Sequence, residues 1–445
     1  MRFSTSELAA HLGGELVGPD VTVDGASIDS RTVCPGQLYV PIVAERDGHA
    51  FIGSARDAGA AAYLTSREPV GGTAIRVTDT AAGLLELGAL ARGRVEGGVI
   101  GITGSVGKTT TKDLLAGCLS AAFPTAASER SFNNELGLPL TLLNAAEGTR
   151  WVVLEMGARG PGHIARLAEV ARPDVGIVTS VAMAHVEFFG DLDGVARAKG
   201  ELVEALPESG VAVLNFDDPR VRQMGDVSAC PVLGYAIASD AEVRADDIIL
   251  DGELRARFHL TSPWGDGVVQ LAVRGLQQVP NALAAATAAL WCGVPFADVQ
   301  AALAATTGSP LRMEVHHVAD GPLLVVDCYN ANPASAEAAL RSLGTVAGER
   351  KLALLGVMAE LGEETAAQHA RVATLAEGLG IEVVGFETDL YGNARVDGVD
   401  DAVALLRTLG PGDAALVKGS RVARLEDVVR AYGAEVGAPS LATGA

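Results

Sequence analysis

A glycine-rich turn near residue 100 constrains this chain more than any other feature of its sequence. The apolar run 99–102 predicts a buried strand, which is followed by the turn Thr103-Gly104-Ser105-Val106-Gly107 and then by Lys108-Thr109-Thr110. A helix that begins at such a turn directs free backbone N–H groups and its positive dipole end toward an anion. Lys108 adds a point charge, and the Thr109 hydroxyl is a suitable Mg²⁺ ligand. An ordinary strand–helix turn is the alternative, but Gly-Lys-Thr-Thr in this context favours a nucleotide-phosphate site.

The length and charge of the chain limit what it can bind. With 445 residues the chain is too long for one hydrophobic core, so two or three domains are expected. Apolar residues make up 49% and aromatic residues only 4%, which predicts cores built from Ala, Val and Leu. The net charge of −21 argues against general affinity for nucleic acid or an anionic membrane. A phosphate site must therefore be assembled locally from a few cations and backbone amides.

Cysteine usage and hydropathy predict a soluble, cytoplasmic protein without membrane association. The five cysteines (34, 118, 230, 292 and 328) are scattered and lack CxxC pairing, so neither a disulfide framework nor a zinc site is expected. The first residues lack an apolar signal core, and no run of about 18 apolar residues follows. We take a monomer as the default oligomeric state.

Strand-like and helix-like segments alternate along the chain, and two breaks divide it. Arg92-Gly93-Arg94 to Gly98 reads as one hinge, and Gly308-Ser309-Pro310 as the other. The prediction is an α/β fold of three domains: a small α/β domain at 1–95, a central parallel-sheet domain with the phosphate loop at 96–309, and a Rossmann-like doubly wound domain at 310–445. Residues 240–273 are predicted to form a β-rich segment. No GxGxxG follows the first strand of the last unit, so dinucleotide binding is not expected there.

Polar residues follow several apolar strands of the central unit. Glu155 ends one of them, and at the carboxyl edge of a parallel sheet its carboxylate can reach Mg²⁺ held between phosphates. His185 follows the next strand, where a lone histidine is more often structural. Lys199 lies at the predicted start of a helix and by spacing alone would be a solvated side chain. Asn133 and Asn134 precede a helix, where paired amides are usually a cap or a turn.

The C-terminal unit places polar residues after its first and last clear strands. The first group is Asp327, Tyr329, Asn330 and Asn332, and the second is Lys418, Ser420 and Arg421. Asn332 as cap and Pro333 at the first helical position predict a helix start, which does not account for Tyr329 and Asn330. The two cations of the second group would suit a substrate carboxylate.

A polar turn in the N-terminal unit offers another anion site. Ser27, Ser30 and Arg31 could hold a diphosphate through hydroxyl groups and a bidentate guanidinium. Taken alone, such a turn is more often a plain surface loop.

Six or more motifs in order give the whole chain a family resemblance. The turn Thr103-Gly104-x-x-Gly107-Lys108-Thr109-Thr110, Glu155, Ala184-His185-x-Glu187 and Ala198-Lys199-Gly200-Glu201 resemble segments of the Mur ligases. These are ATP-dependent, peptide-forming enzymes of cell-wall precursor synthesis. The resemblance implies a cytoplasmic ligase that uses ATP and two Mg²⁺ ions, and in which a lysine carbamylated by CO₂ supplies a metal ligand.

The same resemblance assigns roles to residues of this chain. It implies ATP contacts at Thr103, Gly104, Ser105, Val106, Gly107, Lys108, Thr109, Thr110, Asn281, Arg312 and Asp327, with Asn281 at the adenine. It implies Mg²⁺ ligation by Thr109, Glu155, His185 and carbamylated Lys199, and catalytic roles for Lys108, Glu155, His185 and Lys199. It implies substrate contacts at Ser27, Ser30 and Arg31 for the UDP group, at Asn133 and Asn134 for peptide or phosphate, and at Tyr329, Asn330, Asn332, Lys418, Ser420 and Arg421 for the amine.

Two C-terminal motifs favour one branch of the family. Asp-x-Tyr-Asn-Ala-Asn-Pro at 327–333 and Lys-Gly-Ser-Arg at 418–421 resemble the members that add D-alanyl-D-alanine (D-Ala-D-Ala) to a UDP-MurNAc-tripeptide. Their reaction proceeds through an acyl-phosphate, over which three domains are expected to close. The alternatives are the ligase that adds the third residue, the folate polyglutamate ligase, a P-loop NTPase switch, and a non-catalytic scaffold. The third-residue enzyme typically has Asp-Asn-Pro-Arg in its last domain, and this chain has none there.

Overall fold

The computed structural model describes residues 1–129, 132–183, 189–392, 394–438 and 441. The strands are β1 (Arg2–Ser4), β2 (Glu15–Val17), β3 (Thr22–Asp24), β4 (Ala26–Ser27), β5 (Leu38–Tyr39), β6 (Ala62–Thr65), β7 (Ala74–Arg76), β8 (Gly98–Thr103), β9 (Thr125–Ala127), β10 (Trp151–Glu155), β11 (Val175–Val178), β12 (Val211–Asn215), β13 (Val232–Ala236), β14 (Val243–Leu250), β15 (Arg255–Ser262), β16 (Gly265–Arg274), β17 (Glu314–His317), β18 (Leu323–Val326), β19 (Lys351–Leu355), β20 (Glu382–Phe386), β21 (Arg395–Val396) and β22 (Ala414–Lys418).

Helices connect most of these strands. They are α1 (Thr5–His11), α2 (Ile52–Asp57), α3 (Thr80–Arg92), α4 (Lys108–Ser120), α5 (Gly137–Asn144), α6 (His163–Ala171), α7 (Leu192–Glu204), α8 (Pro219–Gln223), α9 (Gln278–Trp291), α10 (Phe296–Ala305), α11 (Pro333–Thr345), α12 (Thr365–Gly378), α13 (Val399–Leu406) and α14 (Leu425–Glu435). Short 3₁₀ turns lie at Gly48–Phe51, Met224–Val227, Gly362–Glu364 and Arg421–Ala423. Within the described ranges, no helix is both long and apolar enough to span a membrane.

A nine-stranded sheet forms the centre of the molecule, in the order β16-β15-β14-β13-β12-β11-β8-β10-β9. The strands from β8 to β14 pair in parallel, and β15 and β16 continue the sheet as antiparallel strands, which accounts for the predicted β-rich segment. Strand β8 lies between β11 and β10, where the chain order reverses. Ligands of open α/β sheets bind at such a point. In the β10–β8 register, Glu155 lies beside Ile102, next to the phosphate loop.

The N-terminal residues form a small five-stranded sheet, β2-β7-β6-β5-β4, with a β1–β3 pair beside it. Its apolar core is continuous with one face of the central sheet, because Leu84 and Leu87 of α3 belong to the same cluster as Leu138 of α5 and Leu167 of α6. The unit is therefore packed against the central sheet over an extended apolar surface.

The C-terminal residues form a six-stranded sheet in the order β17-β18-β22-β19-β20-β21. Strand β17 is antiparallel and the others pair in parallel. Separate apolar clusters cover its two faces, so the predicted doubly wound α/β architecture is confirmed. One of these clusters includes Leu254, which the turn between β14 and β15 contributes from the central sheet. Leu254 is 1% exposed and has a φ of 59°.

A short linker joins the two large sheets at 306–313. Ser309 binds helix α4, because its backbone N–H and its hydroxyl both donate to Asp113 Oδ2, at 3.0 and 2.5 Å. Leu311 and Met313, on either side of Arg312, have φ values of 61° and 54°. These values lie in the left-handed region that non-glycine residues rarely adopt.

The helix that carries Lys199 begins earlier than the sequence predicts. Helix α7 starts at Leu192, and the Asp191 side chain caps it by accepting the Gly194 N–H at 2.6 Å. Lys199 is therefore in the middle of a helix rather than at its start. Asp191 marks this start in the sequence, because Asp is a strongly preferred residue at the N-cap of a helix.

Candidate active site

A cavity of about 590 Å³ lies between the carboxyl edges of the central and C-terminal sheets. Most of the predicted site residues line it: Gly104, Ser105, Val106, Gly107, Lys108, Thr109, Thr110, Asn133, Asn134, Glu155, Lys199, Asn281, Arg312, Asp327, Tyr329, Asn330, Asn332, Lys418, Ser420 and Arg421. The volume is in the range of small-molecule and cofactor sites. The cavity is therefore the candidate active site.

The glycine turn has a conformation that few other residues could adopt. Gly104 has a φ of 149° and Gly107 a φ of 89°. A Cβ at Gly104 would lie 1.8 Å from Thr179 Oγ1, and one at Gly107 would lie 2.2 Å from Asn281 Oδ1. Ser180 supports the turn, since its carbonyl accepts the Ser105 N–H at 2.9 Å and its hydroxyl accepts the Val106 N–H at 3.1 Å. The turn leads directly into α4.

A carboxylate and a hydroxyl meet at the start of α4. Thr109 Oγ1 donates to Glu155 Oε2 at 2.8 Å, and Asn133 Nδ2 donates to Glu155 Oε1 at 2.9 Å. Arg312 Nη2 donates to Thr109 Oγ1 at 3.0 Å and so joins the linker to the phosphate loop. Glu155 is only 2% exposed. A carboxylate and a hydroxyl at this distance are the oxygen donors that Mg²⁺ binds.

Two lysines lie on the same side of the cavity. Lys108 Nζ donates to the Gly104 carbonyl at 2.6 Å, and desolvation lowers its pKa although Glu155 opposes this effect. Burial lowers the pKa of Lys199 to about 7, with the charge of Lys108 as a smaller cause. Near neutral pH a large fraction of Lys199 therefore carries an uncharged amine.

The side of the cavity that the C-terminal sheet forms, here called the C-terminal wall, contains a buried ion pair. Lys418 is 2% exposed, and its Nζ donates to Asp327 Oδ2 at 2.6 Å and to the Asn330 carbonyl at 3.1 Å. Lys418 is thus already paired within the chain, whereas Arg421 is 60% exposed. Two guanidinium groups lie over the Tyr329 ring, with Arg312 Cζ 4.3 Å and Arg421 Cζ 5.9 Å from the ring centroid.

Several predicted residues also make structural hydrogen bonds. The Asn332 side chain and Ser335 form a capping box at the start of α11, as the sequence predicts for this Asn-Pro pair. Ser420 Oγ donates to the Ala331 carbonyl at 3.1 Å. Asn134 Oδ1 accepts the Gly137 N–H at 3.0 Å, and Asn281 Nδ2 donates to Gln278 Oε1 at 2.8 Å.

The structure does not bring every predicted residue to the cavity. Ser27, Ser30 and Arg31 do not line it. Arg31 is mostly exposed and pairs with Asp29 at 2.6 Å. Thr103 is buried behind the turn, and His185 lies outside the described residues.

Other residues line the cavity without having been predicted, among them Arg159, His163, Gln277 and Gln278. For the first two a signal was available. Arg159 lies in the loop after β10 and His163 begins α6, and the segments that follow parallel strands lie at the edge where ligands bind. No comparable sequence signal marks Gln277 and Gln278 as cavity residues.

Comparison with known proteins places the chain in a family. Residues 102–289 match the Mur ligase middle domain, and residues 311–421 match the Mur ligase, glutamate ligase domain. The chain is 40% identical to the UDP-N-acetylmuramoyl-tripeptide--D-alanyl-D-alanine ligase of Mycobacterium tuberculosis H37Rv, over 92% of this chain and 91% of that protein. The chain therefore belongs to the Mur ligase family, and it is a ligase.

Solved structures point to one branch of this family. A crystal structure of MurF from Acinetobacter baumannii matches with a TM-score of 0.88 and 27% identity, over 97% of this chain and 99% of that one. MurF ligase from Thermotoga maritima in complex with ADP matches with a TM-score of 0.81 and 29% identity, over 93% and 98%. The predicted α/β fold of three domains is that of the MurF structures.

Proposed function

We propose that the protein is the ligase that joins D-Ala-D-Ala to UDP-MurNAc-tripeptide at the expense of ATP, in the synthesis of peptidoglycan precursors. The observation that carries the proposal is the hydrogen bond from Arg312, in the linker before the C-terminal sheet, to Thr109 at the start of α4. The same cavity therefore has the candidate phosphate site on one side and the cations of the C-terminal wall on the other. The name of the M. tuberculosis relative supports the choice of substrates.

The proposed reaction has two steps, and the groups described above act in the first. A tripeptide carboxylate oxygen bonds to the γ-phosphorus of ATP, and the bond to the ADP oxygen breaks. The amine of D-Ala-D-Ala then attacks the acyl carbon, inorganic phosphate leaves with the bonding electrons, and the nitrogen releases a proton to give the amide. Lys108 and the amides of the turn stabilise the charge on the transferring phosphoryl group. The same role is proposed for Arg312, which lines the cavity and whose Nη2 lies 3.0 Å from Thr109 Oγ1.

The donor set at the start of α4 fits Mg²⁺. Thr109 and Glu155 would hold the ion together with the ATP phosphates, and the metal would neutralise charge between them. Within the described ranges, no three His, Cys, Asp or Glu side chains form a metal cluster. A second ion would need further ligands from the chain, and the proposed ones are the His185 imidazole nitrogen and a carbamate oxygen on Lys199.

We further propose that Lys199 is carbamylated. The neutral amine adds to CO₂, an N–C bond forms, and one proton is released, which leaves an anionic carbamate in place of a cation. The low pKa of Lys199 supports this step, because only the uncharged amine is a nucleophile. Incubation with ¹³CO₂ is expected to give a carbamate ¹³C resonance that is absent from Lys199→Ala. The same spectrum for both proteins would contradict the proposal.

The UDP group is assigned to Ser27, Ser30 and Arg31 in the N-terminal sheet. Ser27 Oγ donates to the Asp29 carbonyl at 3.1 Å, and Arg31 is held by the Asp29 carboxylate. The diphosphate would compete with Asp29 for the guanidinium, since both are anions that suit its fork of N–H groups. The asparagines at 133 and 134 remain proposed contacts for the tripeptide.

An ADP-release assay tests the function directly. With UDP-MurNAc-tripeptide and ATP present, ADP release is expected to require D-Ala-D-Ala and not a single amino acid. Release with a single diamino acid would favour the third-residue ligase. Release without any amine would favour an NTPase switch, and no release under any condition would favour a scaffold.

A further inference from the structure

Arg421 is the accessible cation on the C-terminal wall of the cavity. Its side chain is 60% exposed, whereas Lys418, three residues earlier, is buried against Asp327. Of these two cations, Arg421 is therefore the one that an incoming carboxylate can reach. An exposed arginine has high rotamer freedom, which is lost when the side chain is fixed by a ligand.

A buried carboxylate lies behind this guanidinium. Glu426, in the first turn of α14, is 8% exposed, and its Oε1 lies 3.3 Å from Arg421 Nη1. Its Oε2 is buried and makes no hydrogen bond to any described residue. A buried carboxylate requires a counter-charge. The five N–H groups of a guanidinium can serve Glu426 and still present donors to a second carboxylate.

We propose that Glu426 is a positioning residue, which holds Arg421 in the orientation that receives the terminal carboxylate of the dipeptide substrate. The inference rests on the proposed function. Glu426 does not line the cavity, so it acts through Arg421. Fixing the guanidinium before the substrate arrives removes the ordering cost of one long side chain, which corresponds to about tenfold in affinity.

The next residue in the chain provides a matched control. Asp427 lies in the same first turn of α14 and would contribute equally to the helix dipole. It pairs with Arg424 at 2.8 Å and with Arg430 at 2.9 Å, and neither of these arginines lines the cavity. Glu426→Gln and Asp427→Asn therefore remove the same charge from the same helix end.

Steady-state ADP release distinguishes the effect of Glu426→Gln from that of Asp427→Asn. At saturating ATP and UDP-MurNAc-tripeptide, the variable substrate is D-Ala-D-Ala or its C-terminal amide. Glu426→Gln is expected to raise the KM for the dipeptide about tenfold with kcat within about twofold. For the amide, Glu426→Gln and the wild type are expected to agree within about twofold, because no carboxylate is present for Arg421 to bind. Asp427→Asn is expected to match the wild type with both substrates.

Three results would overturn the proposal: an unchanged KM for the dipeptide in Glu426→Gln, an equal rise for dipeptide and amide, or a lower kcat at constant KM. If Glu426→Gln does not fold, Arg421→Lys replaces it, since lysine keeps the charge but not the fork. For Arg421→Lys the KM should rise about tenfold for the dipeptide but not for its amide. An unchanged KM for the dipeptide would equally refute the proposal. If the proposed function fails instead, the wild type itself shows no ADP release that depends on the dipeptide.

Discussion

Replacing Leu254 by alanine tests how the C-terminal sheet is held over the phosphate loop. Leu254 lies in the turn between β14 and β15 of the central sheet, yet it is 1% exposed within a cluster that includes Met313 and Leu340. Nearby polar contacts cross the same boundary, since Ser342 Oγ donates to Gln277 Oε1 at 3.0 Å. The substitution keeps the Cβ and the backbone conformation, so it removes only apolar contact between the two units.

The size of the effect follows from the atoms removed. Leu254→Ala deletes three buried carbon groups at about 0.8 kcal/mol each, or about 2.4 kcal/mol before any cavity cost. Because the other buried members of this cluster lie in the linker or in the C-terminal unit, we expect the lost free energy to weaken docking of the two units more than folding of the central sheet. At about 1.4 kcal/mol per factor of ten, the docking equilibrium shifts about fiftyfold toward the open form.

Scattering and kinetics together measure the shift. In the presence of ADP and UDP-MurNAc-tripeptide, Leu254→Ala is expected to show a larger radius of gyration than the wild type, and kcat/KM is expected to fall by up to about fiftyfold. Ile249→Ala is the control, because Ile249 lies on β14 and is 61% exposed. It should match the wild type. A folded Leu254→Ala protein with unchanged scattering and kcat/KM would refute the docking role.

Three further predictions concern the cavity. Lys108→Ala is expected to lower turnover by at least about a hundredfold in the ADP-release assay with an unchanged circular dichroism spectrum, and near-normal activity would contradict its assigned role. Because the pKa of Lys199 is about 7, its neutral fraction is about one tenth at pH 6 and about nine tenths at pH 8. Activity at limiting CO₂ should therefore rise between these values, and a flat profile would exclude control by this amine. Asp327→Asn leaves Lys418 buried without a counter-charge, so we expect a loss of about 3–5 kcal/mol in the free energy of unfolding by denaturant titration. An unchanged unfolding midpoint would show that the ion pair does not stabilise the fold.

The parts of the site that could be predicted from the sequence are those built within one strand–turn–helix unit. The glycines and Lys108 of the phosphate turn act over a few residues, so their spacing alone indicates their geometry. Glu155 was also predictable, since strands that pair in parallel end at one edge of the sheet. The cap formed by Asn332 and the following proline is local in the same way.

Contacts between distant elements could not be predicted. Lys418 and Asp327 are 91 residues apart, and the sequence suggested two available cations where the structure has one buried pair and one exposed arginine. The sequence places Leu254 in the predicted β-rich segment, and no neighbouring residue indicates that its side chain enters the core of another unit. Such contacts depend on how whole sheets pack, for which a single sequence offers only hydrophobicity and charge.

The linker around Arg312 has a consequence for the turnover cycle. Leu311 and Met313 each hold a left-handed backbone that costs about 1–2 kcal/mol, or about 2–4 kcal/mol together. This strain is of the same size as the docking free energy that Leu254 provides. The strain therefore offsets a part of the apolar docking free energy to which Leu254 contributes. If these two residues relax when the linker opens, the released strain would favour opening and so help the product to leave.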